Sequence, residues 1–121
     1  MTDMFGRPVF ARLRRLCLAC PETVETTSWG HPNFRAGKKT CAFEIISGRP
    51  SIAFRLAPAD IKRASRRRHF FPTPYGRGLW MSRWVDVGVD WGVVATLLEQ
   101  SYRLVANKRM LASFSPRLKQ T

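Results

Sequence analysis

Residues 40–56 read TCAFEIISGRPSIAFRL and contain two alternating patterns around a short turn. Cys41, Phe43 and Ile45 alternate with Thr40, Ala42 and Glu44, which is typical of a strand with one buried face. The run Gly48-Arg49-Pro50 predicts a turn. After the turn the apolar positions alternate again, at Ile52, Phe54 and Leu56. The stretch therefore predicts an antiparallel hairpin with one apolar side.

The segment before this hairpin predicts two more strands. Residues 23–29 are rich in Thr and Val, and residues 32–36 form a second extended run. Residues 36–39, Ala-Gly-Lys-Lys, predict the turn that leads into the central hairpin. We expect Trp29 and Phe34 to anchor these strands in the core, while the Gly-His-Pro sequence between them shapes a corner.

A helix is expected from about residue 7 to residue 19. Apolar residues recur there at three- and four-residue spacing, and Pro21 ends the pattern. Cys17 and Cys20 form a C-x-x-C sequence near the end of this helix. Redox pairs gain a low thiolate pKa at a helix N-terminus, and these residues lie at the opposite end. We therefore interpret both cysteines as core residues.

The second half of the chain predicts two helices and another strand. The predicted segments are a short helix over 59–67 opened by Pro58, a Pro- and Gly-rich loop over 71–78, a strand over 79–87, a helix over 91–107, and a loose tail from about residue 110 to 121. Asp90 is a plausible N-cap for the last helix. Its apolar stripe comprises Val94, Leu97, Leu98, Ser101, Leu104 and Val105.

The predicted order is helix, three or four strands, helix, one or two strands, helix. Hairpin connections favour a mainly antiparallel sheet with the helices packed on one face, which is the α+β class. A chain of 121 residues is the size of one domain, and we expect residues 1–121 to form it.

The charge balance points to a polyanionic partner. The chain has 21 Lys and Arg against 8 Asp and Glu, a formal net charge of +13. Such an excess attracts nucleic acid, anionic membrane surfaces or acidic proteins over a long range. We recognise no secretion signal and no membrane-spanning run, and three cysteines do not suit a disulfide framework. A cytoplasmic location is expected, with no membrane contact.

The strongest positive signal is a basic tract with interleaved aromatic residues. Between residues 61 and 85 there is no Asp or Glu. Guanidinium groups bind phosphate bidentately, and exposed aromatic rings stack on bases. Trp80 and Trp84 share a strand face, so we assign them to the core. The run Arg66-Arg67-Arg68 has two interpretations, a partner-binding patch or a solvated helix end.

No catalytic, metal or cofactor site is evident. The carboxylates are scattered, and there is neither a phosphate-binding Gly-rich loop nor a Gly-x-Ser-x-Gly elbow. A zinc site would need two ligands besides Cys17 and Cys20, and no second paired motif supplies them. His31 is the one candidate for a general base, but a His between Gly and Pro is more typical of a turn residue than of a catalytic residue.

Several motifs together resemble the MmcQ/YjbR-like family. They are Trp29-Gly30-His31-Pro32-x-Phe34, Gly37-x-Lys39, Pro72-x-Pro74-Tyr75-Gly76, Trp80, and Ser101-Tyr102-Arg103-Leu104-Val105-Ala106. The resemblance extends from the first helix to about residue 108. It implies a compact α+β fold, described for the family as double-wing or CyaY-like, and a proposed DNA-binding role without enzymatic activity or cofactor. Lys38 departs from the pattern, where a second Gly is common.

Our leading hypothesis is a non-enzymatic nucleic-acid-binding domain, with DNA preferred over RNA through the resemblance alone. Most of the predicted contacts are to phosphate. The predicted contact residues are Arg35, Lys38 and Lys39 on one hairpin, Arg63, Arg66, Arg67 and Arg68 at the end of the short helix, and Arg77 in the loop, with Tyr75 as a stacking group. Two alternatives are a module that docks an acidic protein and, third, a small-molecule or enzymatic pocket around His31 and Tyr75.

Overall fold

The computed structural model describes residues 7–74 and 76–114 and contains one six-stranded antiparallel sheet with four helices. The strands are β1 (Val24–Ser28), β2 (His31–Ala36), β3 (Lys38–Ile46), β4 (Arg49–Arg55), β5 (Phe70–Pro72) and β6 (Trp80–Trp84). The helices are α1 (Arg7–Leu18), α2 (Pro58–Ala64), α3 (Trp91–Val105) and α4 (Lys108–Ser113). The strand order is β1-β2-β3-β4-β6-β5, so the predicted α+β class is confirmed.

The central hairpin forms as its alternation predicts. Cys41 pairs with Phe54, and Phe43 pairs with Ile52, so these four side chains share one face of the sheet. All four are fully buried. The other face of β3 and β4 is also buried at its centre, at Ala42 and Ala53, which alternation alone would leave half-exposed. Side chains this short are shielded by the longer residues beside them on the sheet.

The helices pack on the Phe43 side of the sheet. Phe10 of α1 meets the Phe43 ring edge-on at a centroid distance of 5.3 Å. Val94 and Leu98 of α3 are buried in the same apolar cluster. The Asp90 side chain accepts hydrogen bonds from the backbone N–H groups of the residues two and three ahead, which confirms it as the N-cap of α3.

The end of the chain is more ordered than the composition suggests. Helix α4 occupies the start of the segment that we expected to be loose, and Met110 is buried. The Tyr102 hydroxyl donates toward the backbone oxygens of Pro21 and Met110, at 2.9 and 3.3 Å. Residues 115–121 lie outside the described part of the chain. A local N-cap at Asn107 explains the helix, because its side chain accepts from the Met110 N–H.

Two element boundaries and the placement of Trp29 differ from the prediction. β5 (Phe70–Pro72) lies partly in the predicted loop, because its register with β6 provides backbone partners that a local pattern does not reveal. Helix α2 ends at Ala64, so the arginine run 66–68 follows the helix. Trp29 is 95% exposed, so the prediction that it anchors the core is wrong.

All three cysteines are buried, which confirms the interpretation of the C-x-x-C sequence as core. The sulfur atoms of Cys17 and Cys41 lie 3.3 Å apart, and burial raises the pKa of the Cys17 thiol. Burial, reinforced by Cys41 and Glu99, raises the pKa of the Cys20 thiol to about 12. Within the described ranges, no group of three or more acidic, His or Cys side chains is arranged to hold a metal ion.

The buried thiols should be nearly inert in the folded protein. We expect alkylation by iodoacetamide at pH 8 to be about 100-fold slower, or more, than in urea, because thiolate is the reactive species. Mass spectrometry over time would measure this difference. Equal rates in buffer and in urea would contradict the burial of these residues.

Candidate nucleic-acid interface

The sheet side that faces away from the helices is called here the open face. Paired residues of antiparallel strands share a face, so the strand register defines it. The central row is Asn33, Ala42, Ala53, Ser82 and Phe71. A row lies on each side of the central one. At one end of the sheet the row consists of the pairs Arg35–Lys39 and Arg55–Trp80. Toward the other end it consists of Glu44, Ser51 and Trp84. Ala42 and Ala53 are buried but are not part of the main apolar cluster.

One end of the open face carries three cations on adjacent strands. Arg35 of β2 pairs with Lys39 of β3, where a register shift after Phe34 brings both onto this face. Arg55 follows on β4. Strand spacing is about 4.8 Å, so the three positions lie within roughly 10 Å across the sheet. Within residues 7–74 and 76–114 none of the three forms an ion pair.

The hydrogen bonds of these arginines leave most of their donors free. Arg35 Nε donates to Thr26 Oγ1 at 3.3 Å, and Arg55 Nη1 donates to the Leu56 carbonyl oxygen at 2.9 Å. A guanidinium group has five N–H donors. The remaining donors are available to an anionic ligand such as phosphate.

The other end of the open face holds a stack of side chains. The Arg49 guanidinium lies 4.1 Å from the centroid of the Trp84 ring, which in turn stacks on Phe71 at 4.1 Å. Arg49 also donates two hydrogen bonds to Asp86, at 2.7 and 2.8 Å. The hydrogen bond from Arg49 lowers the pKa of the Asp86 carboxyl. Arg49 is thereby held over the indole ring.

Trp80 and Trp84 do share a face, as predicted, but it is the open face and not the core face. Both are half-buried. Trp80 is covered from one side by the backbone of Gly76, where a Cβ would lie 2.6 Å from the Trp80 Cβ. The assignment to the core is therefore corrected, because the alternation within β6 cannot reveal which side the helices cover.

The predicted phosphate-binding cations divide into two groups. Arg35 and Lys39 lie on the open face. Lys38 is the first residue of β3 and pairs with the core residue Ala36, so it lies on the helix side, while Arg77 lies in the loop before β6 at the same end of the sheet. The second group, Arg63, Arg66, Arg67 and Arg68, lies in and after α2 and leads into β5 at the opposite end of the sheet. Tyr75 lies outside the described residues.

The second group is partly offset by acids. Arg63 pairs with Asp60, and Arg63 and Arg67 line a cleft of about 320 Å³ between α2 and α3 that also contains Asp60 and Asp90. The carboxylates in this cleft would repel a phosphate group electrostatically, because both are negatively charged. Arg66 and Arg68 are exposed. This group is the weaker candidate for a nucleic-acid interface.

Several residues of the open face were missed by reasoning from sequence. Arg55, Trp84 and Phe71 come from three strands that are far apart in the chain. The alternation of Arg55 with Phe54 was the one local signal for its side of the sheet. His31 lies at the start of β2, and its Nδ1 is buried without a hydrogen-bond partner among the described residues.

Trp29 forms the tip of the β1–β2 hairpin. Trp29 and Gly30 have φ values of 54° and 78°, as in a two-residue hairpin turn of the I′ type. The left-handed region costs a non-glycine residue about 1 kcal/mol. The exposed indole and the turn geometry explain why this residue has no anchoring role.

Replacing Trp29 should therefore leave the fold intact. We expect Trp29→Ala to change the free energy of unfolding by less than about 0.5 kcal/mol, because no packing is lost. Trp29→Gly should raise it by up to about 1 kcal/mol, since glycine adopts the left-handed region readily. Urea titration followed by circular dichroism measures both; a loss of several kcal/mol in the alanine variant would refute the exposed placement.

The comparisons with known proteins agree with this architecture. The YjbR family model matches residues 18–104. The chain belongs to the YjbR family. A crystal structure of a Deinococcus radiodurans protein with the domain DUF419 is similar with a TM-score of 0.70 and 18% identity, covering 92% of this chain and 85% of that one. A Pseudomonas syringae protein has a TM-score of 0.61 and 14% identity, covering 69% and 86%.

These structural likenesses establish the fold of this YjbR-family protein and confirm the resemblance identified from its motifs. No curated protein matches the sequence at a significant level. In the described part of the chain, none of the helices has the length and apolar character needed to cross a bilayer.

Proposed function

We propose that this YjbR-family protein is a non-enzymatic nucleic-acid-binding domain that holds the phosphate backbone on the open face of its sheet. The observation that carries the proposal is the trio of Arg35, Lys39 and Arg55, which lie on adjacent strands without ion pairs among the described residues. A formal net charge of +13 adds long-range attraction.

The form of the surface supports the same proposal. The centre of the open face, at Ala42 and Ala53, is buried, so a bound strand would contact the cations and the aromatic rings of Phe71 and Trp84 around it. Sheet surfaces with basic and aromatic side chains are a recurrent platform for single-stranded nucleic acids. Arg77, in the loop before β6, adds another cation at this end of the sheet. DNA is the proposed polymer because of the family resemblance.

We also propose a cytoplasmic location. Three buried cysteines remain free thiols, and such residues are typical of a reducing compartment.

A salt titration tests the proposal. Fluorescence anisotropy with duplex and single-stranded oligonucleotides should show binding at about 50 mM salt. If about five phosphates are contacted, log affinity should fall with log salt at a slope near −4 to −5 on duplex DNA. Absence of binding to both polymers at low salt would rule the proposal out.

A second candidate function is the docking of an acidic protein on the exposed run Arg66-Arg67-Arg68. It is favoured by the distance of this run from the open face and by its exposure. Replacing the three residues with Glu should then abolish capture of one stoichiometric acidic partner while oligonucleotide binding through the open face persists.

A further inference from the structure

Glu44 differs from the other acids of the described residues, because it neither forms an ion pair nor caps a helix. The described residues include seven of the chain's acids, and five of these form ion pairs: Glu22, Glu25, Asp60, Asp86 and Glu99. Asp90 caps α3. Glu44 is 9% exposed, and its Oε1 has no hydrogen-bond partner within residues 7–74 and 76–114.

The position of Glu44 makes this unusual. It lies on the open face, opposite Ser51, whose hydroxyl donates instead to the Glu44 backbone oxygen at 3.3 Å. A buried carboxylate oxygen without a donor costs free energy, since it has lost its water. A ligand with hydrogen-bond donors would satisfy this oxygen.

A second polar atom without a hydrogen-bond partner among the described residues lies on the same side of the sheet. The β2–β3 ladder ends at the pair Asn33–Ala42, and His31 lies two residues beyond it in β2, as Glu44 does in β3, on the same side of the sheet. The His31 Nδ1 is buried and has no hydrogen-bond partner in the described chain. Trp84 follows beyond Ser51 in the same row. A carboxylate, an imidazole nitrogen and an aromatic ring thus share one row of the open face.

We propose that Glu44 and His31 form a subsite for an unpaired guanine base, an inference that rests on the proposed nucleic-acid function. The Watson–Crick edge of guanine presents two adjacent donors, N1–H and the 2-amino group, which match the two oxygens of a carboxylate. Its O6 accepts from an imidazole N–H. Thymine and adenine each have one donor on that edge. A guanine within a duplex uses the same edge for pairing, so the ligand is a single strand.

The test compares short oligonucleotides that differ by one base. A 12-mer of thymidines is titrated by anisotropy at about 100 mM salt beside the same 12-mer with one central guanine, which is too few guanines to form a quadruplex. We expect the guanine oligonucleotide to bind about 10-fold more tightly. Central inosine, which lacks the 2-amino group, should lose most of that preference, and central adenine should show none.

Two substitutions assign the preference to the subsite. Glu44→Gln should abolish it while binding of the thymidine 12-mer stays equal or strengthens slightly, since one negative charge is removed. Glu22→Gln, the matched control, removes a charge at an exposed acid that pairs with Arg109, and it should keep the preference. Thermal unfolding confirms that both variants are folded.

The outcomes separate the two proposals. Equal affinity of the native protein for the guanine, inosine and thymidine oligonucleotides overturns the guanine subsite and leaves the phosphate interface standing. A preference that survives Glu44→Gln also overturns it. The inosine comparison uses the native protein, so it tests the guanine subsite even if one of the variants fails to fold. Absence of binding to every oligonucleotide at low salt overturns both proposals.

Discussion

Replacing Arg35, Lys39 and Arg55 together with glutamine is expected to weaken single-stranded oligonucleotide binding by about 100-fold at 100 mM salt. Each lost phosphate contact removes about 0.7 from the slope of log affinity against log salt. Three lost contacts therefore lower the slope by about 2 and the affinity by about two decades at this salt concentration. Anisotropy titrations between 50 and 200 mM salt measure both quantities.

The matched control removes the same charge elsewhere. The control variant has glutamine in place of Arg66, Arg67 and Arg68. It also loses three cations, but these residues follow α2 and lie away from the open face. We expect a reduction of affinity well below that of the first variant, through the weakened long-range field alone. Equal losses in the two variants would show that total charge, not the open face, governs binding. Thermal unfolding of both variants excludes a loss of fold.

Replacing Phe54 with alanine is expected to lower the free energy of unfolding by about 3–5 kcal/mol. Phe54 is fully buried on the helix side of β4, between its partners Cys41 and Met81. The surrounding strands cannot collapse around the vacated ring without breaking their ladder, so a cavity remains. Small domains are stable by about 5–15 kcal/mol, so the variant should be near its unfolding midpoint under mild conditions. Urea titration at 25 °C is the measurement.

Leu104→Ala serves as a control for Phe54→Ala, because it removes a similar apolar side chain at an exposed position. The helical stripe places Leu104 in the core, but it is 42% exposed at the end of α3. We expect a change within about 0.5 kcal/mol, since little apolar area returns to water. A cost equal to that of Phe54→Ala would mean that the end of α3 packs more tightly than the structure shows.

The elements with strong periodicity were predictable, and their packing partners were not. Residues 40–56 specify two strands, because alternation and a Gly turn are local properties. The Asp90 cap likewise needs only the residues that follow it. β5 was missed because three residues ending in Pro72 have no periodicity to detect, and their ladder with β6 alone makes them a strand.

The candidate site was predictable only in part, for the same reason. Arg35 and Lys39 were selected as members of one turn, and the structure does place them together on the open face. Arg55, Glu44 and His31 reach that face from separate strands. Trp29 shows the opposite error, because an aromatic residue between strand segments predicts burial, whereas the hairpin geometry points it into solvent.

The amino-acid sequence determines the positive charge, the helices and strands, and the family, since each depends on composition or on residues close together in the chain. The two sides of the sheet depend on tertiary structure. Alternation separates Phe54 from Arg55, but long-range packing of α1 and α3 establishes which of the two faces the core. The open face, with its cations, exists because the helices cover the other side.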